Sequence, residues 1–484
     1  MANDKTQGIT MGEWNAGGLS PSKWSGLNDS YYKMVGIDMH TFPGLIQAEY
    51  SMAKETSGAP PDELCKVAVN TSNGAHYWFS AASGKIWQCS SVGVWSLVHT
   101  TTPAAGEAKC LGAAEFEGRL YWATQSRLHY ITLANADDND WSSDAVEDFA
   151  TFTNADSEFH PMLNHNVAQF ILYIGDGNKV HQVYEDTFTS TVTSVEAPRR
   201  IKTLGKFGPD LLIGTYMTNN VISSEVFRWD GWSPIFTNSD AIPEIGINTF
   251  FNADNMVLIQ AGRAGNIYYY DGENLELFMR IPGDYSAGKT TQVHNYSVAN
   301  HNGQILFGLS NIANSPADQL IYRIARNDRN HNYILDAPYP ISERSGSDFV
   351  LTGLDLGAML VIGDDIYISW ANGATKGVDK ISSNRLNGAY FETRVITPDR
   401  WNESNLSELK VGYASLPAST DIDFYTDVNY AGYGSALTSV DDTIKKIKYT
   451  YDVGTEFNTL QVKVKLTCST TSTPQIESSL IEIR

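Results

Sequence analysis

The chain has 484 residues, 42% apolar and 11% aromatic, enough to fill several cores or one large closed architecture, and this excludes a disordered polypeptide. Fifty-five acidic residues against 34 basic ones give a formal charge of −21, which repels a phosphate backbone; with "PRRIK" at 198–202 as the one short basic cluster, nucleic-acid binding is not expected. Four cysteines (Cys65, Cys89, Cys110 and Cys468) in no metal-ligand spacing predict buried free thiols, and the absence of any run of about 18 apolar residues predicts no membrane insertion.

The opening "MANDKTQGITMGEW" has no basic stretch leading into an apolar one, so folding in the cytoplasm is expected. Residues 1–60 carry Gly, Ser, Pro and Asn around aromatics, as in "WNAGGLSPSKWSGLNDSYYK", and read as an extended N-terminal arm able to wrap a neighbour. Within it, "GIDMHTFPGLIQAEYSMA" (36–53) is a candidate edge strand that helps close a ring. Helical periodicity is scarce; the best candidates are "PPDELCKV" (60–67) and part of "SVDDTIKKI" (439–447).

From 61 to 390 one unit recurs about seven times: a strand, a tight turn, a strongly apolar strand, a second turn, and an aromatic-rich strand. Trp78, Tyr121, Leu172, Leu212, Val257, Leu306 and Ile366 are taken as equivalent positions. Their spacing of roughly 40 to 60 residues suits a four-stranded propeller blade with variable loops. One such sheet cannot cover both its faces, whereas several stacked radially bury each face against the next. The predicted class is all-β, a seven-bladed β-propeller. The Asp-Gly pairs of "RWDGWSPIF" and "YYYDGENLELF" then have a local cause, because Gly accepts a positive φ and Asp tolerates a turn, so Asp230 and Asp271 read as turn residues.

Beyond a boundary near Asn387 to Asp399 the pattern changes, and residues 391–484 read as a separate antiparallel β-sandwich. "ELKVGYASL", "TDIDFYTDVNY", "IKKIKYTYDVG", "FNTLQVKVKLTCS" and "PQIESSLIEIR" are its strands. In the fourth, Leu460, Val462, Val464, Leu466 and Cys468 alternate with Gln461, Lys463, Lys465 and Thr467, which predicts one wet face.

Chemistry is sparse. Ten histidines form no HExxH or HxH motif, and no GxSxG, P-loop or strand-following GxGxxG occurs, so no catalytic residue, cofactor or metal is assigned. Two loops have the oxygen-ligand character that calcium takes: Asp137, Asp138, Asp140 and Asp144 in "ADDNDWSSD", and Asp328, Asn330 and Asn332 in "NDRNHNYILD". The second lacks the Gly and terminal Glu of a complete EF-hand loop. Asp364, Asp365, Asp176 and Glu117 are the turn carboxylates from which a glycosidase pair would be drawn, but no sialidase-type Ser-x-Asp-x-Gly-x-Thr-Trp box accompanies them. Trp141 and Trp232 are the aromatics to test for sugar stacking, against the plainer reading that both pack between sheets or domains.

The "GGLS" and "FPGLI" of the opening, the run of aromatic-x-Asp-Gly-x-Trp/Leu units and the closing "PQIESSLIEIR" together resemble a virion structural protein of tailed bacteriophages. The resemblance implies a non-enzymatic neck, tail or tail-tip component, assembled in the host cytoplasm and carried in the virion. It also implies other virion proteins as partners and a homo-oligomer. The alternatives are a receptor- or glycan-binding host-attachment module that meets the host cell surface, and a carbohydrate-active enzyme.

Overall fold

In the computed structural model the described residues are 7–11, 17–24, 30–42, 44–101, 108–136, 141–154, 158–166, 170–218, 222–253, 256–286, 288–313, 318, 320–326, 333–343, 353–397, 404–442 and 448–483. The fold is all-β. Among the described residues the helix is confined to two four-residue turns, Leu133–Ala136 and Trp141–Asp144.

Seven four-stranded antiparallel sheets succeed one another. Sheet I spans 65–100, II 112–151, III 162–194, IV 199–242, V 247–280 and VI 290–339, each built from four consecutive strands paired in chain order. Sheet VII takes three strands from 354–385 and its fourth from Tyr50–Lys54, which overlaps the segment expected to supply an edge strand.

The seven positions taken as equivalent all fall on the second strand of their sheet and all are buried. They do not share a face. Tyr121, Leu212 and Leu306 pack on the following sheet, whereas Trp78, Leu172, Val257 and Ile366 pack on the preceding one. The second strands, such as His76–Ser80 and Asp210–Met217, are buried on both sides, so their apolar runs do not alternate and a slip of one residue leaves no trace in the sequence.

Each sheet packs against the next through an apolar cluster, and the last meets the first where Ala358 and Tyr367 of sheet VII lie against Ala68 and Trp78 of sheet I. Trp78, Trp122 and Trp370 are fully buried in these seams, each contributing about 1.5–3 kcal/mol or more through burial. The first strands approach closely enough to require glycine: a Cβ on Gly112 would lie 1.8 Å from the His160 carbonyl oxygen, and one on Gly357 2.1 Å from that of Cys65.

Two further sheets lie beside sheet VI. Sheet VIII runs Gln7–Met11, Ile476–Ile483, Ser404–Tyr413, Lys448–Phe457, and sheet IX runs Tyr31–Val35, Ala389–Thr393, Leu460–Thr467, Asp421–Val428, Thr438–Asp441. All five strands read from the C-terminal sequence are present, and the chain passes from sheet VII at Arg385 into sheet IX at Ala389.

Expectations for the N-terminal segment need correction. The described residues within 1–60 are not an extended arm: they give one strand each to sheets VIII, IX and VII, Ile37–Asp38 pairs with Gln47–Ala48, and Tyr31, Met34, Val35, Ile37 and Ile46 are buried. Backbone bonds from Leu19 N to Leu335 O and from Gly36 N to Ala337 O cap the outer strand of sheet VI, satisfying an edge that would otherwise face solvent. Residues 60–67 form no helix, because Cys65 opens the first strand of sheet I, its N–H donating to Ser369 Oγ. In the second helical candidate Thr438–Asp441 is a strand, and 443–447 lie outside the described residues.

The face of Leu460–Thr467 expected to be wet is largely covered. Gln461 and Lys463 are buried, Gln461 Nε2 donating to Thr393 O at 2.8 Å and the Lys463 ammonium lying 4.1 Å from the Tyr390 ring centre. The long lysine stem covers apolar surface while its charge sits on an aromatic face.

Candidate functional site: a basic basin where the first strands meet

The first strand of sheet VI, Thr290–His301, departs from its ladder in a way that builds the site. Val293 pairs with Leu309 and Val298 with Phe307, so residues 294–297 stand opposite Gly308 alone and bulge out of the sheet. The bulge reaches across the molecule. Tyr296 Oη donates to Ala113 O (3.2 Å) and accepts from Ala113 N (3.1 Å) in sheet II, and Asn295 Oδ1 accepts from Thr203 Oγ1 in sheet IV. His294 Nε2 lies 2.8 Å from Asp355 Oδ1 in sheet VII.

These bonds divide the centre in two. On one side two adjoining cavities of about 290 and 530 Å³ share Glu158, Phe159, Lys202, Asn248 and Gln292. On the other, a cavity of about 430 Å³ is lined by Glu115, Glu117, Asn164 and Phe170. Tyr296 borders both sides.

The first side is basic in an acidic protein. Lys66, Lys109, Arg200, Lys202 and Arg263 line it, with Glu158 as the carboxylate among its lining residues. Asp355, just behind, is engaged by Lys66 Nζ (2.9 Å) and by His294. Burial alone would raise the Asp355 pKa, but the His294 hydrogen bond and charge, with Lys66, hold it well below the usual carboxylate range. Burial, then Lys66, lowers His294, against the opposing pull of the Asp355 hydrogen bond and charge.

Lys202 is the central group. Asn248 Nδ2 donates to Gln260 Oε1 (2.6 Å) and Gly262 O (2.7 Å), which turns Asn248 Oδ1 toward Lys202 Nζ at 2.6 Å. Burial, with the Arg263 guanidinium nearby, pushes the Lys202 ammonium down to about 8. Phe159 lies under that ammonium, 5.1 Å to its ring centre, and meets Tyr216 edge-on at 5.4 Å. Cys110 also borders the basin, its thiol pushed up to about 12 by burial. The arrangement offers positive charge, an amide in Gln292 and aromatic edges, which is binding chemistry.

The residues singled out from sequence are not brought together. Trp141 is buried between sheets I and II against Tyr77 and Trp122, with His99 stacked on it at 5.5 Å. It is therefore no sugar platform. Trp232 is 66% exposed on the turn between the third and fourth strands of sheet IV. Asp230 and Asp271 occupy that same turn in sheets IV and V, before Gly231 (φ 81°) and Gly272 (φ 95°). Asp230 accepts from Ser233 Oγ and the N–H groups of Ser233 and Trp232, and Asp271 from Asn274 Nδ2 and the N–H groups of Asn274 and Glu273; these bonds lower both carboxyls.

Asp176 is fully buried, bonded to His181 Nε2 (3.2 Å) and Asn154 N (2.9 Å). In an antiparallel meander the 1–2 and 3–4 turns fall at one end and the 2–3 turns at the other. Glu117, Asp364 and Asp365 are at the first end, on sheets II and VII, and Asp176 at the second, on sheet III. Asp365 is paired with Lys380 at 2.8 Å. Of the calcium candidates, Asp137, Asp138, Asp140, Asp328, Asn330 and Asn332 lie outside the described residues, and Asp144 accepts from Ser143 Oγ. Among the described residues no cluster of His, Cys, Asp and Glu has metal-site geometry.

Sequence reasoning missed the basin, although "PRRIK" was its signal. In Arg199–Phe207 the ladder shifts register between Ile201 and Thr203; Lys202, at that irregularity, and Arg200 line the basin, while Arg199 pairs with Glu225. The bulge at 294–297 gave no signal, since it is defined by a mismatch between two strands.

No protein-family model matches the chain, and no curated protein does. Among solved structures it is similar to the extracellular domain of a hybrid two-component system from B. thetaiotaomicron, with 13% identity and a TM-score of 0.46, over 76% of this chain and 44% of that one. The chain thus spans less than half the length of that structure. A second such extracellular domain from the same organism gives 9% identity, a TM-score of 0.48 and coverages of 86% and 56%. Virginiamycin B lyase from Staphylococcus aureus gives 12% identity and a TM-score of 0.48, over 69% of this chain and 100% of that one.

Proposed function

We propose that sheets I to VII are the blades of a seven-bladed β-propeller, that sheets VIII and IX form a β-sandwich at its flank, and that the protein is a non-enzymatic structural component of a phage virion, at the neck, tail or tail tip. The observation that carries a role in assembly is a set of exposed apolar side chains at one end of the sheets. Val92 (82% exposed) in sheet I, Phe170 in sheet III, and Trp232 and Ile235 (73% exposed) in sheet IV all sit at the end bearing the 1–2 and 3–4 turns. Apolar groups displayed on several sheets of a chain with net charge −21 mark a surface for protein contact. The N-terminal strands fasten the second body to the first, which suits a part that holds its neighbours at fixed angles. The scattered turn carboxylates favour this reading over an enzymatic one.

The partners in this reading are other virion proteins and further copies of the chain. Mass measurement of the purified chain is expected to show a ring or trimer, or else the protein co-purifies with particles. A well-folded monomer absent from any particle overturns it. Attachment to a host-surface glycan or receptor is the second reading, and the basic basin favours it.

A further inference from the structure

The basin holds an ammonium group whose hydrogen-bond acceptor is a neutral amide oxygen. Lys202 lies inside the ring of first strands, Asn248 Oδ1 accepts from it, and Arg200, Arg263 and Lys109 border the same space. A partly buried cation is costly unless an anion compensates it; for Lys202 the Arg263 charge adds to that cost and the Glu158 charge offsets part of it. The cavity of about 530 Å³ has the size of small-molecule sites, which span roughly 300–1,000 Å³.

We propose that this basin binds one carboxylate-bearing sugar residue, its carboxylate held by Lys202 and the guanidinium groups of Arg200 and Arg263. The other lining groups select within the anions. Glu158 repels a dianion such as phosphate more strongly than a singly charged carboxylate, and it accepts hydrogen bonds from sugar hydroxyls. Gln292 adds an amide for hydroxyls, and Phe159 and Tyr216 add aromatic edges for the ring's apolar face. Planar guanidinium groups match a carboxylate in two-bond geometry. The bulge at 294–297 closes the floor, so the ligand enters from the end carrying the 2–3 turns, opposite Trp232. This inference does not depend on assembly into a virion.

The test is calorimetric titration of the isolated protein with glucuronate, glucose, glucose-6-phosphate and inorganic phosphate. Glucuronate is expected to bind with a Kd of about 1 mM or below, and glucose at least about tenfold more weakly. Arg263→Ala, at a hairpin turn where the fold tolerates change, is expected to weaken glucuronate at least about tenfold, as loss of a charged hydrogen bond does. Lys202→Gln is expected to do so too, with an unchanged circular-dichroism spectrum showing that the variant is folded. Trp232→Ala is expected to leave binding unchanged. The proposal is overturned if glucuronate fails to bind up to about 10 mM, if glucose binds as well, if either phosphate binds more tightly, or if Arg263→Ala has no effect.

Discussion

Sheets I to VI and sheets VIII and IX are built from the same kinds of residue by opposite routes. In the first group every strand pairs with its neighbour in sequence, and the chain closes each sheet before starting the next. In the second, Gln7–Met11 pairs with Ile476–Ile483 and Tyr31–Val35 with Ala389–Thr393, so strands some 350 to 470 residues apart complete one another. Local pairing leaves a repeating trace, whereas distant pairing costs more loop-closure entropy and writes no period. Sheet VII stands between them, three strands local and one taken from the N-terminal segment.

The joint between the two groups is where the contrast is most easily broken. Arg323 of sheet VI is buried, donating two bonds from Nε and one from Nη2 to Asp336, with Glu49 of the N-terminal segment 3.4 Å from Nη1 and His40 Nε2 3.4 Å from Asp336. Arg323→Met is expected to cost about 3–5 kcal/mol, because it strands buried carboxylates without their cation. Chemical denaturation checks this, and loss of sheets VIII and IX ahead of the remainder would show that the joint holds the second group in place.

Within the locally paired group, Trp141→Ala is expected to cost about 3–5 kcal/mol, since the side chain fills the seam between sheets I and II. Here the shift is expected in a single transition.

Glu49 sharpens the comparison through pH. Burial first, then the charge of Asp38, raises its carboxyl to about 7, against the opposing pull of Arg323 and Arg385. The folded value exceeds the unfolded one near 4.5, so the folded state keeps a proton that the unfolded chain releases. Stability from this group is full below about 4.5 and falls as pH rises to about 7. Denaturation midpoints are expected to fall between pH 5 and 8, and Glu49→Gln to flatten that slope. An unchanged slope removes Glu49 as its source.

The smallest effect belongs to Trp232→Ala, expected to stay within about 0.5 kcal/mol because the ring is exposed. A larger loss would mean that the turn supports sheet IV rather than facing a partner.

What the sequence determined by itself was everything with a short range. The all-β class, the seven recurrences, the Asp-Gly turns and the five C-terminal strands each rest on residues within a few positions of one another, and each was legible. The candidate edge strand in "GIDMHTFPGLIQAEYSMA" overlaps the strand at Tyr50–Lys54. Tertiary structure decided the remainder. Which face Trp78 or Tyr121 covers depends on register, and a strand buried on both sides carries none in its pattern. Whether Lys463 is wet, whether the described part of residues 1–60 is free, and whether Trp141 is exposed were settled by what lands on them from far along the chain. The basin is the strongest case. Arg200 and Lys202 were visible as a pair of charges, but only the meeting of first strands from six sheets, closed by a bulge at 294–297, makes them walls of one cavity.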